Sequence, residues 1–204
     1  MMKIKTVLLS LTVALPSIAF ATVGGPQTIE VLGYDASDQK VYILRHFYDG
    51  RGRLPQLSYY LLGSQQPHKS IDVSSLYINP HTQQVDYDQD PQAFNQALAK
   101  IKSRLHPLPK IPTTTLQLDI LQIKQQRVNL GPDLAQNIQQ YQYCYQLKKG
   151  ILVSPIQTAT SYKTNIQVSQ SYQLPQHNQV LAVVKYQGIP IEGGYDIEDA
   201  MILK

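Results

Sequence analysis

The chain has 204 residues, of which 18 are basic and 14 acidic, so its formal net charge is only +4. This length provides one hydrophobic core of ordinary size or two small ones, and so small a charge argues against nucleic acid as a partner. A single cysteine excludes an internal disulfide framework. Fourteen tyrosines against three phenylalanines indicate half-buried sheet faces, because a tyrosine ring packs while its hydroxyl stays in water.

Residues 1–21 have the pattern of a secretory signal peptide. Lys3 and Lys5 form a basic start, residues 7–15 are apolar, and residues 19–21 form a small-x-small cleavage site. A membrane anchor would need about 20 unbroken apolar residues. We therefore expect an exported protein of the periplasm, with secretion from the cell as the alternative, and no integral membrane segment after signal cleavage.

Three strands are predicted next, over residues 28–34, 40–48 and 56–62. The second of them is filled with β-branched and aromatic residues and contains no helix breaker. Polar turns at residues 35–38 and 49–55 connect them, so they form an antiparallel meander.

The second of these turns carries the first candidate binding residues, Arg51 and Arg53. Their guanidinium groups would grip a carboxylate or phosphate bidentately. The alternative is a solvated hairpin in which Gly50 and Gly52 supply positive φ angles. His46, on the preceding strand, is a further candidate, although a lone histidine on a strand is usually structural.

Between the meander and the helix, residues 70–78 predict an edge strand and residues 84–87 a short return strand. Asp86, Asp88 and Asp90 have the spacing that begins a calcium loop. The sixth and twelfth positions of that loop require glycine and glutamate, and this chain has proline and alanine there. A solvated turn is therefore predicted, with no metal.

A helix is predicted over residues 91–105. Asp90 is placed to cap its first amides and Pro91 fits the first helical position. Four apolar residues recur at helical spacing and form one stripe: Phe94, Leu98, Ile101 and Leu105. The stiff connector of residues 107–112 is a possible subdivision, but we expect it to cross one face of a single β-rich domain, residues 22–204.

The second half of the chain, from residue 113 onwards, is predicted to form strands throughout. The first of these strands is expected to contain a bulge, because Leu121 and Ile123 change the phase of its alternation. The most apolar segment, residues 179–186, is expected to be central. The predicted strands are residues 113–124, 139–147, 162–174, 179–186 and 200–203.

Alternation within residues 139–147 places Tyr141, Tyr143 and Tyr145 on one face and Cys144 on the other. We expect Cys144 to be a small buried hydrophobe. An intermolecular disulfide or a reactive thiol is the alternative, and an exposed Cys144 that forms a dimer would favour a structural assembly component.

No catalytic signature is present. The sequence contains no Gly-x-Ser-x-Gly elbow, no His-Glu-x-x-His and no phosphate-binding glycine loop. The five histidines, His177 among them, are scattered without ligand spacing. The sequence therefore predicts no cofactor, although paired carboxylates distant in sequence, such as Glu30, Glu192 and Glu198, stay open.

Two end segments resemble a family of predicted secreted bacterial proteins of unknown function. The first runs from Leu32-Gly33-Tyr34 through Phe47-Tyr48-Asp49-Gly50 to Tyr59-Tyr60, and the second is Leu181-Ala182-Val183-Val184 with the later Pro190-x-Glu192-Gly193. The resemblance implies an exported β-rich protein and carries no activity.

Taken together, the sequence predicts a mainly β fold of two packed antiparallel sheets, or a partly open barrel, with one amphipathic helix; an α+β fold is the alternative. We expect a non-catalytic protein that binds an envelope protein or peptide through a tyrosine-rich face or a sheet edge, an immunity or inhibitor role included. The alternative is a small envelope hydrolase. The candidate binding residues are Arg51, Arg53, His46, Tyr141, Tyr143 and Tyr145.

Overall fold

The structure is a computed structural model that describes residues 25–129, 137–175, 178–190 and 194–204. The predicted signal peptide, His177 and Glu192 lie outside these residues. Over these residues the protein is mainly β, with two sheets and one α-helix, and the sheets do not close into a barrel. The predicted fold class is confirmed.

In chain order the strands are β1 (Gln27–Asp35), β2 (Lys40–Phe47), β3 (Gln56–Leu61), β4 (Ser70–Asp72), β5 (Gln117–Val128), β6 (Ile138–Lys149), β7 (Leu152–Val153), β8 (Gln157–Ser161), β9 (Gln167–Gln173), β10 (Val180–Ile189) and β11 (Tyr195–Leu203). The larger sheet has the order β4-β3-β2-β1-β11-β10-β9. The smaller sheet is built on β6, which pairs with β5 on one edge and with β7 and β8 on the other. The first and last strands, β1 and β11, form a parallel pair, and the other strand pairs are antiparallel.

Strand β10 is the centre of the molecule, as its composition predicts. Residues 180–184 are fully buried. Leu181 and Val183 pack into a cluster on one face of the larger sheet, while Val180 and Val184 pack between the two sheets. Full burial of an aliphatic side chain contributes about 1.5–3 kcal/mol, so both faces of this strand hold the fold together.

The helix α1 (Pro91–Lys102) covers the opposite end of the larger sheet. Asp90 caps it by accepting the Gln92 amide at 2.8 Å. Phe94 and Leu98 are buried against the outer face of β2 and β3. The helix ends three residues before the predicted boundary.

Two local predictions are wrong. Residues 70–78 form a strand only as far as Asp72, and a 3₁₀ turn (Ser74–Tyr77) follows because it carries the Tyr77 ring into the core. The buried Tyr77 hydroxyl accepts the Leu57 amide and donates to the Pro55 carbonyl. The predicted return strand is reduced to one bridge, between Ile78 and Val85.

The proline-rich connector runs from the middle strand of the larger sheet, β1, to its edge strand, β9. His106 exchanges backbone hydrogen bonds with Tyr34 of β1, at 2.8 and 2.9 Å. Four residues later the connector pairs with β9, where Lys110 lies opposite Tyr172. Leu108 enters the core between these points. The connector is thus part of the packed structure.

Candidate binding surface

The hairpin loop holds one of its two arginines in place. Arg53 lies 3.0 Å from the Asp49 carboxylate, and its guanidinium group stacks 3.5 Å from the centre of the Phe47 ring. Gly50 and Gly52 have φ angles of 73° and 69°, as the solvated hairpin requires. Arg51 is exposed. Of the two arginines predicted to bind a carboxylate or phosphate, only Arg51 is thus presented to solvent without a side-chain contact of this kind.

His46 is part of an ionic group that joins β1, β2 and α1. Its Nε2 lies 2.9 Å from one oxygen of Glu30, and the ammonium of Lys102 lies 2.9 Å from the other. Burial raises the pKa of Glu30, but the hydrogen bonds from Lys102 and His46 outweigh it and hold this pKa below its ordinary value. These contacts give His46 a structural role beside its predicted binding role.

The predicted tyrosine face turns inward, which corrects the expectation of a tyrosine-rich binding surface. Tyr143 and Tyr145 are 3% and 1% exposed and pack against β10 between the two sheets. Burial, and then the charge of Asp199, raises the pKa of Tyr145. Tyr141 is partly buried. The reason is chemical: the opposite face of β6 carries glutamines, whose amides are costly to bury.

Cys144 lies on that outer, glutamine-bearing face and is a free thiol of intermediate exposure. The expectation of a fully buried cysteine is therefore not met. It lines a shallow groove of about 340 Å³ together with Gln142, Lys124 and threonines of β8.

A second ionic group joins β2 and β11, the two strands that flank β1 in the larger sheet. Arg45 donates to the Asp199 carboxylate and to the Glu198 carbonyl, both at 2.7 Å. The other oxygen of Asp199 accepts the Tyr186 hydroxyl at 2.6 Å. The buried Glu198 carboxylate accepts the Ile29 amide at 2.8 Å and the hydroxyl of a serine on β9 at 3.0 Å. Sequence reasoning missed this group, because its members are far apart in the chain.

The groups in this cluster are paired with one another. Burial, followed by the charge of Asp199, raises the pKa of both Tyr186 and Tyr60 above that of an ordinary phenol. Tyr60 donates its hydroxyl to the Ala200 carbonyl at 2.7 Å. The adjoining cleft, about 140 Å³, also contains Asp72. The arrangement ties strands together, and both oxygens of the Asp199 and Glu198 carboxylates are already hydrogen-bonded.

The geometry of a metal centre is not found in the described ranges, where no three histidine, cysteine, aspartate or glutamate side chains could share an ion. Two aspartates of the predicted turn form hydrogen bonds with residues close to them in the chain. Asp86 accepts from Asn79 and from the amide of Asp88, while Asp90 caps the helix.

The most exposed apolar surface of a strand lies on β5. This strand is 12 residues long and, among the described strands, pairs only with β6, so its other edge is open. Ile120, Leu121 and Ile123 are 38%, 50% and 47% exposed. The predicted bulge is confirmed at Leu121, where the register shifts between Ile120 and Gln122.

Because of this bulge, Ile120 and Ile123 lie on the same face of β5, opposite Tyr145 and Tyr143. Sequence reasoning placed the strand and the bulge but missed the surface. The sequence did contain a signal for this surface. Within residues 118–123 apolar residues occupy both odd and even positions, which is unusual for a strand with one buried face.

Comparisons with protein-family models, with curated proteins and with solved structures find no match. Within the described ranges, no helix has the length and apolar character needed to cross a membrane.

Proposed function

We propose that this is an exported, non-catalytic protein of the periplasm that binds an envelope protein or peptide by adding its strand to the free edge of β5. Export is supported by the signal pattern of residues 1–21. Binding is supported by one observation above the others: a long edge strand leaves three large aliphatic side chains in water.

An open edge presents a row of backbone N–H and C=O groups that another strand would complete. Natural proteins protect such edges with proline, with charge or by keeping them short. This edge contains one further protective device, the bulge at Leu121. Between Asp119 and Lys124 it has neither proline nor charge, and its residues are a run of exposed aliphatic and glutamine side chains. In strand addition the backbone bonds supply affinity, and alternate side chains supply selectivity.

The test is capture of partners from the envelope with affinity-tagged protein. Ile123→Lys places a charge on the open edge, and we expect it to reduce capture at least tenfold, because a buried unpaired charge would be required in the complex. Ile151→Lys is the matched control, since Ile151 is 89% exposed in the turn after β6 and lies away from this edge.

The control should capture as much as the unmodified protein, and both variants should keep its circular dichroism spectrum. Equal capture by the Ile123 and Ile151 variants would contradict binding at β5.

A further inference from the structure

We propose that the envelope protein that pairs with β5 is a second copy of this chain. The two β5 strands run antiparallel across a two-fold axis perpendicular to the smaller sheet. This inference rests on the proposed function, because it names the partner of the same edge. The evidence for it is that β5 is complementary to itself in both apolar and charged residues, which a strand that binds an unrelated partner would not need to be.

The bulge selects the register. A bulge adds one residue to one strand of a pair and shifts the phase of the side chains beyond it. When the two bulges lie opposite each other, Leu121 of one copy faces Gln122 of the other, and the phase shift is the same in both strands. Inward-facing residues then lie opposite inward-facing residues on both sides of the bulge.

On the inner face, this register places Ile120 of each copy opposite Ile123 of the other. These are two of the three exposed aliphatic residues of β5. Directly opposed side chains on antiparallel strands have Cβ atoms about 4.5–5.5 Å apart, so each isoleucine covers its counterpart. The exposed apolar patch of one copy is thus covered by the same patch of the other.

On the outer face, the same register places Asp119 of each copy opposite Lys124 of the other, which gives two ion pairs across the axis. The Lys124 side chain makes no hydrogen bond or ion pair within the described part of its own chain, and it is exposed. Asp119 binds Lys148 of its own chain at 2.6 Å, which holds its carboxylate in place. Beyond these pairs, Gln117 lies opposite Gln126.

Charge exchange tests the register. Lys124→Asp places two aspartates opposite each other at both ends of the paired segment, and Asp119→Lys places two lysines there. Each variant alone should raise the dissociation constant of the dimer about tenfold, measured by sedimentation equilibrium, because two attractive pairs become repulsive. Mixing the two variants restores both opposite-charge pairs, so the mixture should form a heterodimer with the unmodified affinity.

Cross-linking gives an independent readout that does not depend on charge. In a Cys144→Ser background, Ile120→Cys and Ile123→Cys proteins should form a disulfide-linked heterodimer on oxidation when mixed. Each alone should cross-link poorly, because opposed residues lie within disulfide range and the variant positions face each other only in the mixture.

The inference would be overturned if the protein stayed monomeric at all concentrations up to the millimolar range. It would also be overturned if each single charge variant dimerised as well as the mixture of the two. A monomeric protein that still loses envelope capture on Ile123→Lys would leave the proposed function standing with a different partner. Dimerisation and capture that are both unchanged by Ile123→Lys would instead remove the proposed function, because neither kind of binding would then use β5.

Discussion

Strands β10 and β5 are both rich in aliphatic residues, yet the protein uses them in opposite ways. Residues 180–184 of β10 are fully buried, with sheet or core on both faces and a paired strand on both edges. Residues 120–125 of β5 are all exposed, with one open edge. Position in the sheet decides what the aliphatic residues of each strand do: in β10 they stabilise the fold, and in β5 they are available to a partner.

The largest effect expected from this comparison is on stability. Leu181→Ala opens a cavity in β10 and should lower the free energy of unfolding by about 2–5 kcal/mol. Ile123→Ala, on β5, should lower it by less than about 1 kcal/mol, because the side chain is already half in water. Urea unfolding at low protein concentration, where self-association is absent, measures both.

Equal losses of stability in these two variants would break the comparison, since they would show that the β5 patch is part of the folded core of a single chain.

A smaller difference in stability is expected between two variants that each lose one tyrosine hydroxyl. Tyr77→Phe leaves the buried Leu57 amide and Pro55 carbonyl of the larger sheet without their partner, at a cost of about 1–3 kcal/mol. Tyr141→Phe, in the smaller sheet, should change stability little, because the Tyr141 hydroxyl makes no hydrogen bond within the described residues. Urea unfolding at neutral pH compares them, and equal losses of stability would contradict the assignment.

The Tyr77 phenol also predicts a pH dependence. Burial raises its pKa to about 12, so the folded protein keeps this proton where the unfolded chain, with an ordinary phenol pKa near 10, releases it. The contribution to stability is therefore complete below pH 10 and is lost as the pH rises towards 12. The unfolding free energy of Tyr77→Phe should fall less steeply over this range than that of the unmodified protein.

Much of the architecture could be predicted because its causes are local. The stripe that begins with Phe94 predicts the helix, the cap at Asp90 fixes its start, and the phase change at Leu121 predicts the bulge. Burial of β10 follows from its uninterrupted aliphatic run. In each case neighbouring residues contain the information.

What could not be predicted depends on contacts between distant parts of the chain. Strand β8 has no apolar alternation, and it becomes a strand because β6 offers it a paired edge. The parallel pairing of β1 with β11 joins residues about 170 positions apart, and the Arg45–Asp199 contact depends on it. Alternation in β6 separated the tyrosines from the glutamines, but the position of β10 determined that the tyrosines would be buried.

The central claim, that the open edge of β5 is a strand-pairing surface, is tested most directly by hydrogen exchange of backbone amides. We predict that exchange in β5 slows as the protein concentration rises and that β10 exchanges slowly throughout. Lys124→Asp should shift the slowing in β5 to about tenfold higher protein concentration. Exchange in β5 that is fast at every protein concentration, and equally fast when envelope extract is added, would contradict the account.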